Sequence, residues 1–315
     1  MLTRRAALAR LALTGAAVTG VGLTASCSTG GGDGSSDGGG AGGGSGQPLR
    51  ISAIPDQDPD ALTEREEAFA AHLASVLDID VEYVPVPDYA ASVNLFGAGD
   101  LDLVFYGGLT GVQAQLQNPE ATIVAQRDID PSFTSVFIAN AEAGIDPVDS
   151  VEGLSVMAGK RFTFGSETST SGRLMPSYFL SQAGVAESDL AGEPGFSGSH
   201  DSTIELVTSG SYEAGALNSQ VWKARMEEGS IDTDKVIEVL VSPEFHDYHW
   251  LLRGDADERF GDGFTQQLTD AMLTMHESEE GRAIAESYGA QSFIPAKAED
   301  YQQIEEVARE LGLIG

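Results

Sequence analysis

The sequence predicts an α/β protein whose chain folds into two lobes joined by two crossings. Short strand-like runs alternate with helical patterns from about residue 49 onward, which is the rhythm of a parallel or mixed sheet. The segment from residue 259 onward is almost entirely helical in pattern after the last predicted strand, so we expect it to pack back on the first half. The chain from residue 49 to residue 315 is long enough for one large or two medium domains without disulfides.

The first 26 residues have the layout of a secretory signal peptide. Arg4, Arg5 and Arg10 precede an apolar stretch that ends in LTASC. That stretch, about residues 11–23, is shorter than the roughly 20 residues that span a bilayer. We therefore expect residues 1–26 to be removed and no transmembrane anchor to remain.

Cys27 is the single cysteine and follows small residues at the expected cleavage point. The arrangement resembles a bacterial lipobox, with Thr24 where Leu is usual, and predicts a lipid on Cys27; an unmodified thiol after an ordinary signal is the alternative. Eleven glycines between residues 30 and 46 predict a flexible tether about 25 Å from end to end. We assign residues 27–48 to the lipidated cysteine and its Gly/Ser tether.

The chain is strongly acidic, with a formal net charge of −32 that becomes −35 once the three signal arginines are removed. Nucleic acid is excluded as a partner, because phosphate backbones require clustered Lys and Arg. The acids are dispersed along predicted helices without a dense cluster of His, Asp and Glu. A solvated acidic coat explains them better than a cation-binding role.

Nine short runs are predicted as strands because they are rich in β-branched and aromatic residues. Apolar residues at helical spacing, such as Leu62, Phe69 and Leu73, predict helices between them. The predicted strands are LRISAI (49–54), VEYVPV (81–86), LDLVFY (101–106), TIVAQR (122–127), FTSVFIAN (133–140), RFTFG (161–165), GALN (215–218), KVIEVLVS (235–242) and YHWLLR (248–253).

The two crossings are predicted near residues 138–141 and 248–251. One lobe then comprises residues 49–139 with 250–315, and the other comprises residues 140–249.

A hydroxyl-rich turn separates the strand RFTFG from a predicted helix over residues 173–183. Ser169, Thr170 and Ser171 fall at the carboxyl end of that strand and at the start of the helix, where unpaired N–H groups and the helix dipole favour an anion. Ordinary N-capping needs only one such residue. The cluster therefore predicts an anion site.

Other junctions of the same kind follow predicted strands. Tyr106 ends one strand before GGLTG, IPDQDPD (54–60) follows the first strand, and GFSGSHDST (195–203) leads into a helix near His200. Because ligands of open α/β sheets bind beyond the carboxyl ends of strands, we expect these junctions to converge on one cleft.

Uncharged donors can hold an anion despite the acidic coat. Distant charges are screened beyond roughly 8 Å at physiological salt. Each hydrogen bond to a charged group contributes about 1.5 to 3 kcal/mol. Five or six such bonds offer enough free energy for micromolar affinity, about −8 kcal/mol.

Enzymatic and metal-binding interpretations are weaker. Ser199, His200 and Asp201 are adjacent, and neighbouring residues cannot adopt the geometry of a catalytic triad. His246 and His249 would face opposite sides of a strand. We therefore predict no catalytic residue, no metal site and no cofactor.

The chain resembles the substrate-binding lipoproteins of phosphate/phosphite/phosphonate-type ABC importers. The resemblance runs from about residue 49 to the C-terminus and includes, in order, AIPDQD, DYAASV, FYGGLTGVQAQ, SETSTSGRLMP, GFSGSHDST, GALN and DYHW. FGSETSTSGRLMP and GGLTGVQAQ are most similar to a branch associated with selenate.

This resemblance implies a type II periplasmic-binding-protein fold, or Venus flytrap, that closes on one ligand and delivers it to a membrane permease. The family's oxyanion grip corresponds here to Ser169, Thr170 and Ser171. A tyrosine of the DYA segment corresponds to Tyr89, and a histidine after a Gly-Ser turn corresponds to His200.

The resemblance also shows departures from family members that bind aminoalkylphosphonates. Asp247 is kept, but Gln220 stands where a second acid is expected, and Phe133 stands where a tyrosine is expected. A compact inorganic oxyanion such as phosphite, phosphate or selenate is therefore favoured over an aminoalkylphosphonate.

Two classes of function stay open. The first is a monomeric transport receptor, lipid-anchored outside the cytoplasmic membrane, that hands a small oxyanion to an ABC permease. The second is a binding protein that reports its ligand to a membrane sensor kinase. A hydrolase is a distant third alternative.

Overall fold

The computed structural model describes residues 46–315. The predictions for the signal peptide, for Cys27 and for the tether up to residue 45 lie outside the described residues. The strands are β1 Leu49–Ala53, β2 Val81–Tyr83, β3 Leu103–Tyr106, β4 Thr122–Arg127, β5 Ser135–Asn140, β6 Phe162–Phe164, β7 Gly195–Phe196, β8 Ala214–Asn218, β9 Val236–Val241, β10 His249–Leu252 and β11 Phe293–Ile294. The α-helices are α1 Pro59–Leu77, α2 Tyr89–Ala98, α3 Gly108–Gln117, α4 Met175–Gln182, α5 His200–Thr208, α6 Ser219–Glu227, α7 Ala256–Phe260, α8 Phe264–Leu273, α9 Glu279–Ser287 and α10 Gln302–Glu310.

The strands form two mixed sheets, which confirms the predicted α/β class with two lobes. The first lobe is built on a six-stranded sheet in the order β11-β4-β10-β3-β1-β2. The second is built on a five-stranded sheet in the order β7-β6-β8-β5-β9. Every predicted strand is present within a few residues, whereas β7 and β11, of two residues each, are too short to give a pattern.

The chain passes between the lobes at two places, between β4 and β5 (residues 128–134) and between β9 and β10 (residues 242–248). The sequence pattern predicts these crossings later in the chain, near residues 138–141 and 248–251. The first prediction is late because the run FTSVFIAN (133–140) does not indicate which of the two sheets it joins. The two crossing segments pair with each other: Phe133 N donates to Phe245 O and Phe245 N donates to Phe133 O, both at 2.9 Å.

The C-terminal helices pack back on the first lobe, as the helical pattern predicted. Helix α8 contacts β4, α9 contacts α1, and α10 contacts α3. The core beneath them is aromatic: Trp250 lies 4.3 Å from Phe105 and 4.4 Å from Phe293 between ring centroids. Among residues 46–315, no helix has both the length and the apolar character needed to cross a membrane.

Strand directions bring one edge of each sheet to the crossings. Strands β1 and β3 run parallel, and β10 runs antiparallel to β3 with His249 opposite Tyr106, so the segment before β10 meets the carboxyl ends of β1 and β3. In the second lobe β5 runs antiparallel to β8 with Ser135 opposite Asn218. The carboxyl ends of the parallel strands of both lobes therefore face the crossing segments, which is where ligands bind in such sheets.

Candidate ligand-binding cleft

The predicted hydroxyl cluster forms a buried turn at the start of α4. Ser169, Thr170 and Ser171 are each at most 3% exposed. Ser169 Oγ accepts from Gly172 N at 3.0 Å, which is a capping bond, and residues Thr170–Leu174 form a single π turn that leads into α4. A Cβ at Gly172 would lie 3.0 Å from Ser169 Oγ and 3.2 Å from the Cα of Gly165, so a larger residue here would crowd the turn. Ser169 is therefore the residue of the cluster that caps the start of the π turn and helix.

Thr170 reaches across to the first lobe. Its Oγ1 accepts from Leu109 N at 2.9 Å, and Asp247 Oδ1 accepts from Gly108 N at 2.9 Å. Helix α3 has no side-chain cap of its own, because Gly107 occupies the capping position. A Cβ at Gly107 would lie 3.3 Å from both Asp247 Oδ1 and Thr170 Oγ1, so glycine leaves the most room for this approach. The N-terminus of α3 therefore binds groups from the second lobe and from a crossing segment.

Asp247 is a buried carboxyl group with one oxygen left unpaired. It is 1% exposed, and its Oδ2 has no hydrogen-bond partner among the described residues. Burial raises the pKa of Asp247 to about 7, although the Gly108 N–H and the Thr170 hydroxyl act in the opposite direction. Near neutral pH this carboxyl group can therefore either donate or accept a proton.

Tyr89 presents a second unpaired group. It begins α2, which Asp88 caps by accepting from Ala91 N at 2.7 Å. The side chain is 2% exposed, and its hydroxyl has no hydrogen-bond partner of good geometry among the described residues. Burial raises the pKa of Tyr89, and the carboxylates of Asp56 and Asp247 raise it further. The Ser169 hydroxyl acts in the opposite direction.

Asp56, Tyr248, His200 and Asn218 form a network that joins the lobes. The Tyr248 hydroxyl donates to Asp56 Oδ2 at 2.8 Å and accepts from Asn218 Nδ2 at 3.2 Å. His200 N donates to the Asp56 carbonyl at 2.9 Å, and its Nε2 lies 3.4 Å from the Tyr248 hydroxyl. Burial lowers the pKa of His200, which favours the neutral ring. Asp56 Oδ1 has no partner among the described residues.

Phe133 lies at the back of this network rather than among its polar groups. It is fully buried, and its ring centroid lies 5.4 Å from that of Tyr248 in an edge-to-face arrangement. The Phe105 ring stacks on the Tyr248 ring, with 5.1 Å between the two centroids and an interplanar angle of 25°. These aromatic rings exclude water from one side of the cleft and fix the Tyr248 hydroxyl.

Two predicted site residues, Tyr106 and Gln220, lie elsewhere, and so does Arg173, which follows the hydroxyl-rich turn. The Tyr106 hydroxyl donates to the Ser92 carbonyl at 2.9 Å and packs within the first lobe, because its side chain projects toward α2. Gln220 is half-buried near the start of α6, where the Asn218 side chain accepts from its backbone N–H; Asn218 rather than Gln220 reaches Tyr248. Arg173 forms an ion pair with Glu187 on the second lobe.

Asp56, Asn218 and Tyr248 were not among the predicted site residues. Each is nevertheless a polar residue next to a strand end: Asp56 follows β1, Asn218 ends β8, and Tyr248 directly precedes β10. Treating every polar residue at the cleft-facing strand ends as a candidate would have included them. Their mutual contacts, however, depend on the approach of the two lobes.

The fold and the cleft together define a two-lobed binding protein of the type II periplasmic-binding class. Residues 51–301 match the family model described as "ABC transporter, phosphonate, periplasmic substrate-binding protein". The chain belongs to this family of substrate-binding proteins.

Two relatives and two solved structures are similar to this chain. The probable ABC transporter phosphite binding protein PhnD1 of Prochlorococcus marinus is 46% identical to this chain, in a match that covers 84% of this chain and 90% of the length of PhnD1. The phosphate-import protein PhnD of Mycolicibacterium smegmatis is 29% identical over 58% of this chain and 59% of its own. The structure of PhnD1 from P. marinus in complex with methylphosphonate matches with a TM-score of 0.83 at 45% identity, covering 85% of this chain and 100% of that one. A binding protein component of an ABC phosphonate transporter from Pseudomonas aeruginosa shares the fold, with a TM-score of 0.72 at 19% identity over 83% of this chain and 85% of that one.

Proposed function

We propose that this chain is the extracytoplasmic receptor of an ABC importer and that its lobes close on one small phosphorus oxyanion. Phosphite, phosphate and a short phosphonate such as methylphosphonate are the ligands we favour. The two crossing segments would then serve as the hinge, and the ligand would lie between Tyr89, the Ser169–Ser171 turn, His200 and Asp247. Relatives whose names specify phosphite, phosphate and methylphosphonate support this choice.

One observation carries the proposal. Polar atoms of the first lobe and of a crossing segment are buried at the approach of the second lobe, yet Tyr89 OH, Asp56 Oδ1 and Asp247 Oδ2 have no hydrogen-bond partner of good geometry among the described residues. Buried polar groups are ordinarily paired, because each unpaired group costs about 1 to 3 kcal/mol. A compact polar ligand between the lobes would satisfy them.

The acids beside this site restrict the ligand's protonation. An anion placed against the carboxyl groups of Asp56 and Asp247 is repelled unless a proton lies between them. Phosphite, phosphate and phosphonates keep a proton near neutral pH or share one with a carboxyl group whose pKa is about 7. Sulfate and selenate carry no proton at that pH. The cleft therefore favours the phosphorus oxyanions over selenate, the ligand associated with one branch in the sequence comparison.

Isothermal titration calorimetry of the mature protein with phosphite, phosphate, methylphosphonate, arsenate, selenate and sulfate tests this proposal. We expect phosphorus oxyanions to bind with micromolar or tighter affinity, about −8 kcal/mol or better, and selenate and sulfate to bind more weakly. No binding by any anion would refute an oxyanion receptor. Tighter binding of selenate than of phosphite would refute the argument from protonation.

The envelope context of the receptor is also part of the proposal. We infer that residues 1–26 are removed, that Cys27 carries the lipid anchor, and that the protein acts as a monomer beside its permease without catalytic activity. The LTASC layout and the Gly/Ser tether support the anchor. Mass spectrometry of the N-terminal peptide from membrane fractions tests it, with Cys27→Ser as the variant that should be released.

A further inference from the structure

Arg127 and Asp130 form a fully buried ion pair next to the cleft. Arg127 ends β4, and Asp130 lies three residues later in the first crossing segment. Arg127 Nη2 donates to Asp130 Oδ1 at 2.6 Å, Arg127 Nε donates to Asp130 Oδ2 at 3.0 Å, and Arg127 N donates to the same oxygen at 2.8 Å. Such a fork of charge-assisted bonds fixes the geometry of both side chains.

The pair is tied to the second crossing segment as well. Asp247 N donates to the Asp130 carbonyl at 3.2 Å. The remaining Arg127 donor, Nη1, binds the Tyr288 carbonyl at 2.9 Å, which holds the guanidinium against the first lobe. The backbone position of Asp247 therefore depends on where the first crossing segment is held.

The guanidinium of Arg127 also supports Tyr248. Its Cζ lies 4.6 Å from the centroid of the Tyr248 ring and 5.4 Å from those of Phe105 and Phe133. A cation over an aromatic face is attracted to it, most strongly where water is excluded. Since the Tyr248 hydroxyl donates to Asp56, the orientation of this ring determines where the Asp56 carboxylate points.

We propose that Arg127 and Asp130 are positioning residues that set ligand affinity and selectivity by holding Asp247 and Tyr248 in place from both crossing segments. This inference rests on the proposed oxyanion-receptor function. Neither residue is placed in contact with the ligand. Arg127 acts on Tyr248 through its ring, and Asp130 acts on Asp247 through a backbone bond.

The test uses the full mature chain and the double variant Arg127→Met with Asp130→Leu, which removes both charges and leaves neither buried without a partner. Arg127→Lys is the second variant, since lysine keeps the charge but cannot form the fork. Asp102→Asn is the matched control. It alters a carboxyl group that is 1% exposed and bound by Arg50 and Arg259, at the other end of β3 from the cleft.

We expect the double variant to bind phosphite about 2- to 30-fold more weakly, the range that substitutions acting on a site through packed neighbours produce. The ratio of phosphite to sulfate affinity should change with it, and Arg127→Lys should give intermediate values. The Asp102→Asn control should lower the melting temperature and leave both affinities unchanged. All titrations are run well below the melting temperature of each variant.

A double variant with wild-type affinity and an unchanged phosphite-to-sulfate ratio would overturn the positioning role. If the double variant does not fold, Arg127→Lys decides alone: wild-type affinity and selectivity overturn the proposal, and a selective loss supports it. Wild-type protein that binds no anion would instead overturn the proposed function, and the positioning role with it.

Discussion

The hydroxyl of Thr170 accepts a hydrogen bond from the backbone N–H of Leu109 at 2.9 Å, and this bond joins the second lobe to the first at the start of α3. Two further bonds join the lobes nearby: His200 N donates to the Asp56 carbonyl, and Asp58 N donates to Asp201 Oδ2, both at 2.9 Å. The groups that would hold a ligand thus also hold the lobes together. Ligand affinity and lobe closure are therefore coupled.

Tyr89→Phe should weaken phosphite binding by about 1.5 to 3 kcal/mol, because it removes a hydroxyl that would bond to a charged ligand. Folding stability should change little, since this hydroxyl has no hydrogen-bond partner of good geometry among residues 46–315. Calorimetry and thermal unfolding measure the two effects separately.

Tyr106→Phe is the matched control for that substitution. It removes the bond to the Ser92 carbonyl, so we expect a stability loss of about 1 kcal/mol with unchanged phosphite affinity. Equal affinity losses in the two variants would contradict the placement of Tyr89 in the cleft and Tyr106 in the core.

The three hydroxyl residues should separate into two roles. Ser169→Ala should lower stability by about 1 kcal/mol, because Ser169 caps the turn. Thr170→Ala and Ser171→Ala should each weaken phosphite binding by about 1.5 to 3 kcal/mol. Thr170→Ala should also lower stability, because its Oγ1 accepts from the buried Leu109 N–H. Ser181→Ala, at an exposed position near the end of α4, is the control and should change neither quantity. Unchanged affinity in the Thr170 and Ser171 variants would remove the turn from the site.

Asp247 should make anion affinity depend on pH. Its pKa of about 7 lies well above the ordinary value of 3.8, so the folded protein keeps this proton until the pH rises through about 7. Above that pH the carboxylate repels the ligand, and affinity should fall by up to about tenfold per pH unit. Calorimetry from pH 6 to pH 8.5 on wild type and Asp247→Asn measures this loss.

Comparing the two proteins on one ligand cancels the ligand's own titration. The Asp247→Asn variant should show a flatter pH dependence than wild type. Parallel curves would show that Asp247 does not titrate next to the ligand.

His249 should make stability fall in acid. Its ring is 1% exposed, and neither ring nitrogen has a hydrogen-bond partner of good geometry within the described part of the chain. Burial lowers its pKa from 6.5 to about 3. The unfolded chain therefore takes up this proton first, so stability is lost as the pH falls below 6.5. The contribution of this one group is about 2 kcal/mol between pH 7.5 and pH 5. Urea unfolding of His249→Leu should show a correspondingly smaller acid loss, while the exposed His276→Gln should match wild type.

Much of the fold was predictable because local patterns encode it. Short runs rich in β-branched and aromatic residues identified nine of the strands, and the helical C-terminal segment identified the elements that cover the first lobe. The position of Ser169 to Ser171 between a strand and a helix was predictable from the order of the strand, turn and helix patterns. Strands β7 and β11 were not, because two residues cannot establish a period.

The candidate site was predictable only in part, because its contacts join residues far apart in the chain. Tyr106 and Tyr248 both stand next to strand ends, yet one hydroxyl bonds within the first lobe and the other bonds to Asp56. The residues that flank each tyrosine in the sequence do not distinguish the two cases. The difference depends on the side of the sheet that each ring occupies and on which helix packs there.

The sequence by itself determined the α/β class, the order of the strands along the chain and the presence of neutral donors at a helix start, since these follow from short-range spacing and backbone geometry. Only the tertiary structure decided which donors face the cleft, where the chain crosses between lobes, and that Asp247 is buried with an unpaired oxygen. The reason is physical: burial and pairing of a polar group depend on groups brought together from distant parts of the chain, as when Gly108 and Thr170 meet Asp247.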